Sequence, residues 1–249
     1  HGSAPRQLEE GCRWVGGQAA EICGSLVQRC TEGTESGKIV DLNFHFKFIP
    51  RIQGLEEFAG HLRNLDLSSN NLRSMEGLEG LKALKELKLY SCQIGRITSL
   101  ERCASLAALH LEDNCISVVE GLDALRSLEY LNLGKNRIAK LGRGVSKLSK
   151  LRELHLSLNQ LRSLEGLLGL GALEVLCAAN NQIAELTQDN LKGLSKLDEL
   201  RLEHNQLSSL SFLCPREAGA VAPLPNLATL DVSDNQLTMA ALQRLPALP

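Results

Sequence analysis

No Cys-x-x-Cys pair occurs in this chain of 249 residues, although it holds eight cysteines, at positions 12, 23, 30, 92, 103, 115, 177 and 214. Not one of its fourteen asparagines opens an Asn-x-Ser/Thr sequon. Scattered thiols and missing sequons point to reduced cysteines, small and buried, and to a cytoplasmic protein, with cytoskeletal, ciliary or nuclear sites open, that is not secreted. No apolar run approaches the ~18 residues of a membrane span, and no signal peptide is evident. Gly-x-Ser-x-Gly, His-Glu-x-x-His, calcium-loop and Gly-x-Gly-x-x-Gly motifs are all lacking. The expectation is a chain that is not an enzyme, takes no cofactor, metal or small-molecule substrate, and has no membrane partner. The formal net charge is only −2 and the pI about 6.4, so the global basic footprint of a direct nucleic-acid binder is missing too.

What the chain has is a repeat. Leu62 opens LRNLDLSSNNL, and the same frame recurs from Leu106, Leu128, Leu151, Leu173, Leu197 and Leu227; Leu84 opens a copy with Cys92 in the asparagine slot, and Ile39 one with Lys47 there. These nine copies start at 39, 62, 84, 106, 128, 151, 173, 197 and 227. A fixed period of this size means a solenoid, in which no unit buries its own apolar face and stacking makes the core. The x-Leu-x-Leu-x alternation is a strand of period two: Leu65 and Leu67 point inward, and Asn64, Asp66 and Ser68 outward. The asparagine ending each strand both donates and accepts, so stacked units place these amides in a buried ladder.

With these residues the chain resembles the leucine-rich repeat proteins, and its 22-residue step resembles their intracellular subclass. The resemblance implies an α/β fold: a right-handed horseshoe with a parallel sheet of about nine strands on its concave face and short helical turns on the convex face. The terminal cysteine clusters usual in secreted relatives do not occur. Relatives in the subclass include a regulatory subunit of type-1 protein phosphatase, the leucine-rich light chain of axonemal dynein, centrosomal and ciliary scaffolds, and a spliceosomal A-prime protein. The resemblance therefore implies a protein-binding module, an intracellular adaptor or scaffold. Its alternatives are a phosphatase regulator or a ribonucleoprotein component that reaches RNA through another protein.

Two units make up the chain: a lead-in, 1–38, and a repeat domain, 39–249. Within the lead-in, Ala19, Ile22, Cys23, Leu26, Val27 and Cys30 have helical spacing over about 18–30, which predicts a helix capping the first repeat or, alternatively, binding a partner. Gly33…Gly37-Lys38 has one residue too few for a phosphate loop and lacks the following Ser or Thr, so it is a polar connector. Phe44 and Phe58 fall on core positions, and Phe46 on a solvent-facing one. The last step is 30 residues long because a Pro-, Gly- and Ala-rich loop is inserted at 213–224. No cap follows the ninth repeat, which implies a truncated chain or an edge covered by a partner.

Positions 3, 5, 7 and 8 of each repeat face the concave groove. Site candidates there are Asp66, Glu86, Lys88, Tyr90, His110, Glu112, Asp113, Tyr130, Asn132, Lys135, Glu153, His155, Leu158, Glu199, Arg201 and Glu203. Both tyrosines of the chain and four of its six histidines fall in these columns. His110 and His155 lie two strands apart, about 10 Å, too far for a presumed shared metal. The columns hold ten acids and three bases, a net −7 on a chain of −2. Such positions are polar in any case because they meet water; the sign of the excess points further, to a protein partner with a basic, partly apolar surface.

Overall fold

The computed structural model describes residues 14–15, 18–19, 39–214 and 223–239. Nine three-residue strands form one parallel sheet: β3 (Asp41–Asn43), β4 (Asn64–Asp66), β5 (Glu86–Lys88), β6 (Ala108–His110), β7 (Tyr130–Asn132), β8 (Glu153–His155), β9 (Val175–Cys177), β10 (Glu199–Arg201) and β11 (Thr229–Asp231). They lie in strict chain order, each hydrogen-bonded to the next repeat's strand. Register is uniform, with Leu65 opposite Leu87, Leu87 opposite Leu109, and Leu109 opposite Leu131. A slip by one residue would turn this leucine column out to water, so the buried face pins the alignment.

The core is one aliphatic column running the length of the rod. Each repeat sends in its strand leucine, an apolar residue two positions on (leucine in all but the first, seventh and ninth repeats), and then a series from the return segment. In the second repeat these are Leu65, Leu67, Leu72, Met75, Leu78 and Leu81, all essentially unexposed. Buried residues in that return are spaced by three, not by the 3.6 of an α-helix. Three residues per turn is the period of 3-10 and extended left-handed backbone, and this limits the short helical turns expected on the convex face. Among the described residues, the return segments hold only three short 3-10 turns, Glu56–Phe58, Gln188–Leu191 and Ser211–Leu213. Phe44 and Phe58 pack in the core as expected.

The ladder forms as the sequence implies. The Asn114 side chain donates to the carbonyls of Leu89, Leu111 and Glu112 and accepts from the Ile94 amide. Asn70, Asn136, Asn159, Asn181, Asn205 and Asn235 repeat the arrangement. Cys92 breaks it: its thiol lies 3.6 Å from the carbonyls of Leu67 and Tyr90, at the long end for such a contact, and it offers Leu72 N–H no amide oxygen.

At the start of the chain, Gln18–Ala19 (β2) pairs antiparallel with Trp14–Val15 (β1). Gln18 and Ala19 are therefore extended, where a capping helix was expected to begin; residues 20–30 lie outside the described residues. The inserted loop is anchored at both ends by core side chains, Leu213 and Leu224; residues 215–222 between them also lie outside the described residues. No helix among the described residues is long and apolar enough to cross a membrane.

Candidate functional site

The face of the sheet opposite the leucines is open, and the parallel register brings the candidate residues into adjoining columns on it. Position 3 contributes Glu86, Tyr130, Glu153 and Glu199; position 5 contributes Asp66, Lys88, His110, Asn132, His155 and Arg201. Tyr90, Glu112 and Glu203 follow at position 7, and Asp113, Lys135 and Leu158 at position 8. Ser68 departs from expectation: it is fully buried, because its hydroxyl bonds Asp66 and lies 2.8 Å from His45 Nδ1, whose ring covers it.

The middle of the face is a short stack of rings. Tyr130, on β7, stands between His110 on β6 and His155 on β8, with ring centroids 4.7 and 5.2 Å apart. The two imidazoles are thus separated by the phenol ring. Among the described residues, no group of three or more His, Cys, Asp or Glu side chains is placed to hold a metal ion. Burial holds His110 below the usual histidine range, with Glu86, 3.6 Å away, opposing the shift. Burial likewise raises the Tyr130 phenol, which stays protonated and accepts a long bond from Asn132 Nδ2 at 3.4 Å. Beyond His155 a shallow depression of about 460 Å³ is lined by Glu153, Val175, Cys177, Glu199, Arg201 and Glu203. The Cys177 thiol there is pushed up to about 11 by burial, so at neutral pH it is an inert neutral group.

Charge on this face is one-sided for a specific reason. Each of its three bases is taken by an acid beside it: Lys88 meets Glu86 at 3.2 Å, Lys135 meets Asp113 at 2.9 Å, and Arg201 pairs with Glu199. The −7 excess therefore rests on seven remaining carboxylates: Asp41, Asp66, Glu112, Glu153, Glu203, Asp231 and Asp234. Two of these are half-desolvated. Glu112 Oε2 and Glu203 Oε2 are shielded from solvent with no hydrogen-bond partner, as is His155 Nε2, which sits 3.5 Å from Glu153 but outside hydrogen-bond geometry. Burial raises the Glu112 carboxyl, and the charge of Asp113 adds to it.

A second feature was hidden in the sequence. All nine position-8 residues have left-handed backbone: Phe46, Ser69, Ser91, Asp113, Lys135, Leu158, Asn180, His204 and Asp234, with φ between 51 and 59°. Asn and Asp tolerate this region, whereas a leucine or phenylalanine adopts it at a cost. Leu158 is 53% exposed and Phe46 59%. Phe46 also joins an aromatic group at the first-repeat end, 5.0 Å from Phe48 and 6.4 Å from His45, which lies 6.1 Å from Tyr90. A larger cavity of about 820 Å³ lies away from this face, lined by Arg51, Gln53, Asn71, Arg73 and Glu76 of the first and second returns with Gln93 of the third.

Comparison with known proteins agrees with the architecture. Family profiles described as leucine rich repeat match residues 126–183 and, as two copies, residues 61–102. The fold is similar to that of internalin C2 from Listeria monocytogenes, with TM-score 0.65 and 26% identity, covering 88% of this chain and 87% of that one. It is also similar to an internalin (inlF) of the same organism, with TM-score 0.61, 23% identity, 78% of this chain and 62% of that one. In the TLR13–ssRNA13 complex the likeness has TM-score 0.63 and 26% identity over 76% of this chain, but only 29% of that one. This chain thus spans under two thirds of inlF and under a third of TLR13. No curated protein matches the sequence.

Proposed function

We propose that this chain, whose repeats are leucine-rich repeats, is a non-enzymatic adaptor that holds a basic, partly apolar protein segment across the open face of its sheet. One observation carries the reading: Leu158 is kept exposed and in left-handed backbone on the same open face as the Tyr130 ring stack. Neither stability nor solubility favours a leucine there, and strain retained at an exposed position is the signature of a contact made elsewhere. The surroundings fit the same partner. Seven carboxylates with no Lys or Arg partner among the described residues favour cationic groups, shielded Glu112 and Glu203 oxygens await donors, and Tyr90 and Tyr130 offer anchoring area at little entropic cost.

A scaffold of cytoskeletal, ciliary or centrosomal assemblies is the finer form of this reading. Regulation of a type-1 phosphatase catalytic subunit is the second form, favoured by the acidity of the face. A direct nucleic-acid partner on this face is disfavoured, since these carboxylates repel phosphates. The test is affinity capture with quantitative mass spectrometry, comparing the parent chain with the double variant Tyr90→Ala, Tyr130→Ala. Both tyrosines are on the surface, so the variant keeps the parent's circular dichroism. Specific partners drop at least tenfold if the face binds them; an unchanged partner set places binding elsewhere. Recovery of a phosphatase catalytic subunit, as against tubulin, dynein or centrosomal proteins, separates the two forms.

A further inference from the structure

With −7 on the open face of a chain of −2, the balancing bases must be elsewhere, and they are concentrated. From Tyr130 to Arg152 there are seven Lys or Arg residues and no Asp or Glu. Five of them, Arg137, Lys140, Arg143, Lys147 and Lys150, follow the return of the fifth repeat, and all five are exposed. None makes an ion pair among the described residues, whereas Lys135 and Arg152 at the sheet do. Together with Arg126 and Arg162 of the adjoining returns they make seven bases against Glu120, Asp123 and Glu165. Glu120 is itself taken by Arg96 at 3.1 Å.

The three returns run close together here, as neighbouring returns also do at Gly77 and Gly121. A Cβ on Gly144 would lie 2.1 Å from the Val119 carbonyl oxygen of the fourth repeat, and one on Gly166 would lie 2.1 Å from the Gly142 carbonyl oxygen of the fifth. A Cβ on Gly169 would come within 2.8 Å of the Ser146 carbonyl oxygen. The turn Gly142–Lys147 is therefore wedged between Val118-Val119 on one side and Gly166–Gly169 on the other. Val118 and Leu168 flank it, 56% and 67% exposed. Bases standing among small residues, between two exposed aliphatic side chains, make a basic and apolar surface on the returns, away from the sheet face.

We propose that this surface, centred on Lys140, Arg143 and Lys147 with Val118 and Leu168 at its margins, docks onto the anionic headgroups of a lipid bilayer. Bases near an anionic leaflet are attracted to it at about fivefold in binding constant per Lys or Arg. Aliphatic side chains beside them enter the interfacial layer, which a phosphate backbone would not reward. Single-stranded nucleic acid asks for stacking rings, and between residues 131 and 172 there is no Phe, Tyr or Trp, the sole histidine, His155, lying on the sheet face.

The test is sedimentation of the full chain with vesicles of phosphatidylcholine, with and without about a third of phosphatidylserine. Binding is expected only to the anionic vesicles. The triple variant Lys140→Glu, Arg143→Glu, Lys147→Glu should lower the partition coefficient by more than about 100-fold and keep the parent melting temperature, because these side chains are exposed and unpaired. Lys82→Glu, an exposed base on the second return, should change it by no more than a few-fold. Leu168→Ser with Val118→Ser should weaken binding and steepen its salt dependence. Equal binding to neutral vesicles, an unaffected triple variant, or tighter binding of a single-stranded RNA or duplex DNA by fluorescence anisotropy would each overturn the proposal.

Discussion

Leu158 shows how much one residue can carry when its backbone and side chain are considered together. Its φ of 59° is shared with eight column mates, among them Asn180, Asp113 and Asp234, whose short side chains suit the region. Replacing Leu158 by Asn should relieve strain and stabilise the protein by roughly 1 kcal/mol, a rise in melting temperature of about 2–4 °C. The same change should weaken partner capture. A calorimetric scan beside the capture assay checks both; a loss of stability would mean that Leu158 packs against its neighbours, and an unchanged capture that it serves no partner. Nothing in the residue types announced the left-handed column, because Ser, Lys, His, Leu and Phe occupy it beside Asn and Asp and no glycine marks it. The Tyr130 stack was half legible. Its members were in the right columns, but a tyrosine at position 3 reaches between two histidines at position 5 only through ring directions that a string of letters does not hold.

At the scale of the element, the strand and its asparagine were the most legible parts of the chain, because alternation and a fixed slot have one physical solution each. The return was less so. Leu72, Met75, Leu78 and Leu81 are spaced by three, which speaks against α-helix, and of the short helical turns that the family resemblance implies only three form among the described residues. Cys92 is the informative exception in the ladder. Asn at this position would offer Leu72 N–H an oxygen acceptor in place of sulfur and the neighbouring carbonyls two donors, so Cys92→Asn should stabilise the protein by roughly 1 kcal/mol. Thermal unfolding in reducing buffer measures it. A large loss of melting temperature would show instead that the slot has closed around sulfur, or that the thiol has a role of its own. Burial raises this thiol above its ordinary range, which keeps it protonated and unreactive at neutral pH.

For the whole molecule the separation of charge is the governing fact. An acidic sheet face and a basic fifth return coexist on a nearly neutral chain, and net charge alone conceals both. Capture by the open face should weaken as ionic strength rises, mostly through a slower association rate, because steering acts before contact. Association and dissociation rates at about 50 and 500 mM salt test this; a rate of association independent of salt would remove the seven carboxylates from the account. The sequence revealed the acidic face since it sits in a counted column. Its basic counterpart is less legible: −7 in the columns of a chain of −2 leaves +5 for the remainder, but the bases are spread around a return whose path the repeat frame does not trace.

The gap at Cys92 has one more consequence, for a rod that is pulled. Amide side chains stitch the first repeat to the second and each repeat from the third onward to the next, but a single thiol spans the second and third. A stretched solenoid parts at its poorest seam. Drawn from its two ends by optical tweezers, this one should shed its first two repeats as a block, at lower force than the rest, and the Cys92→Asn variant should lose that early step.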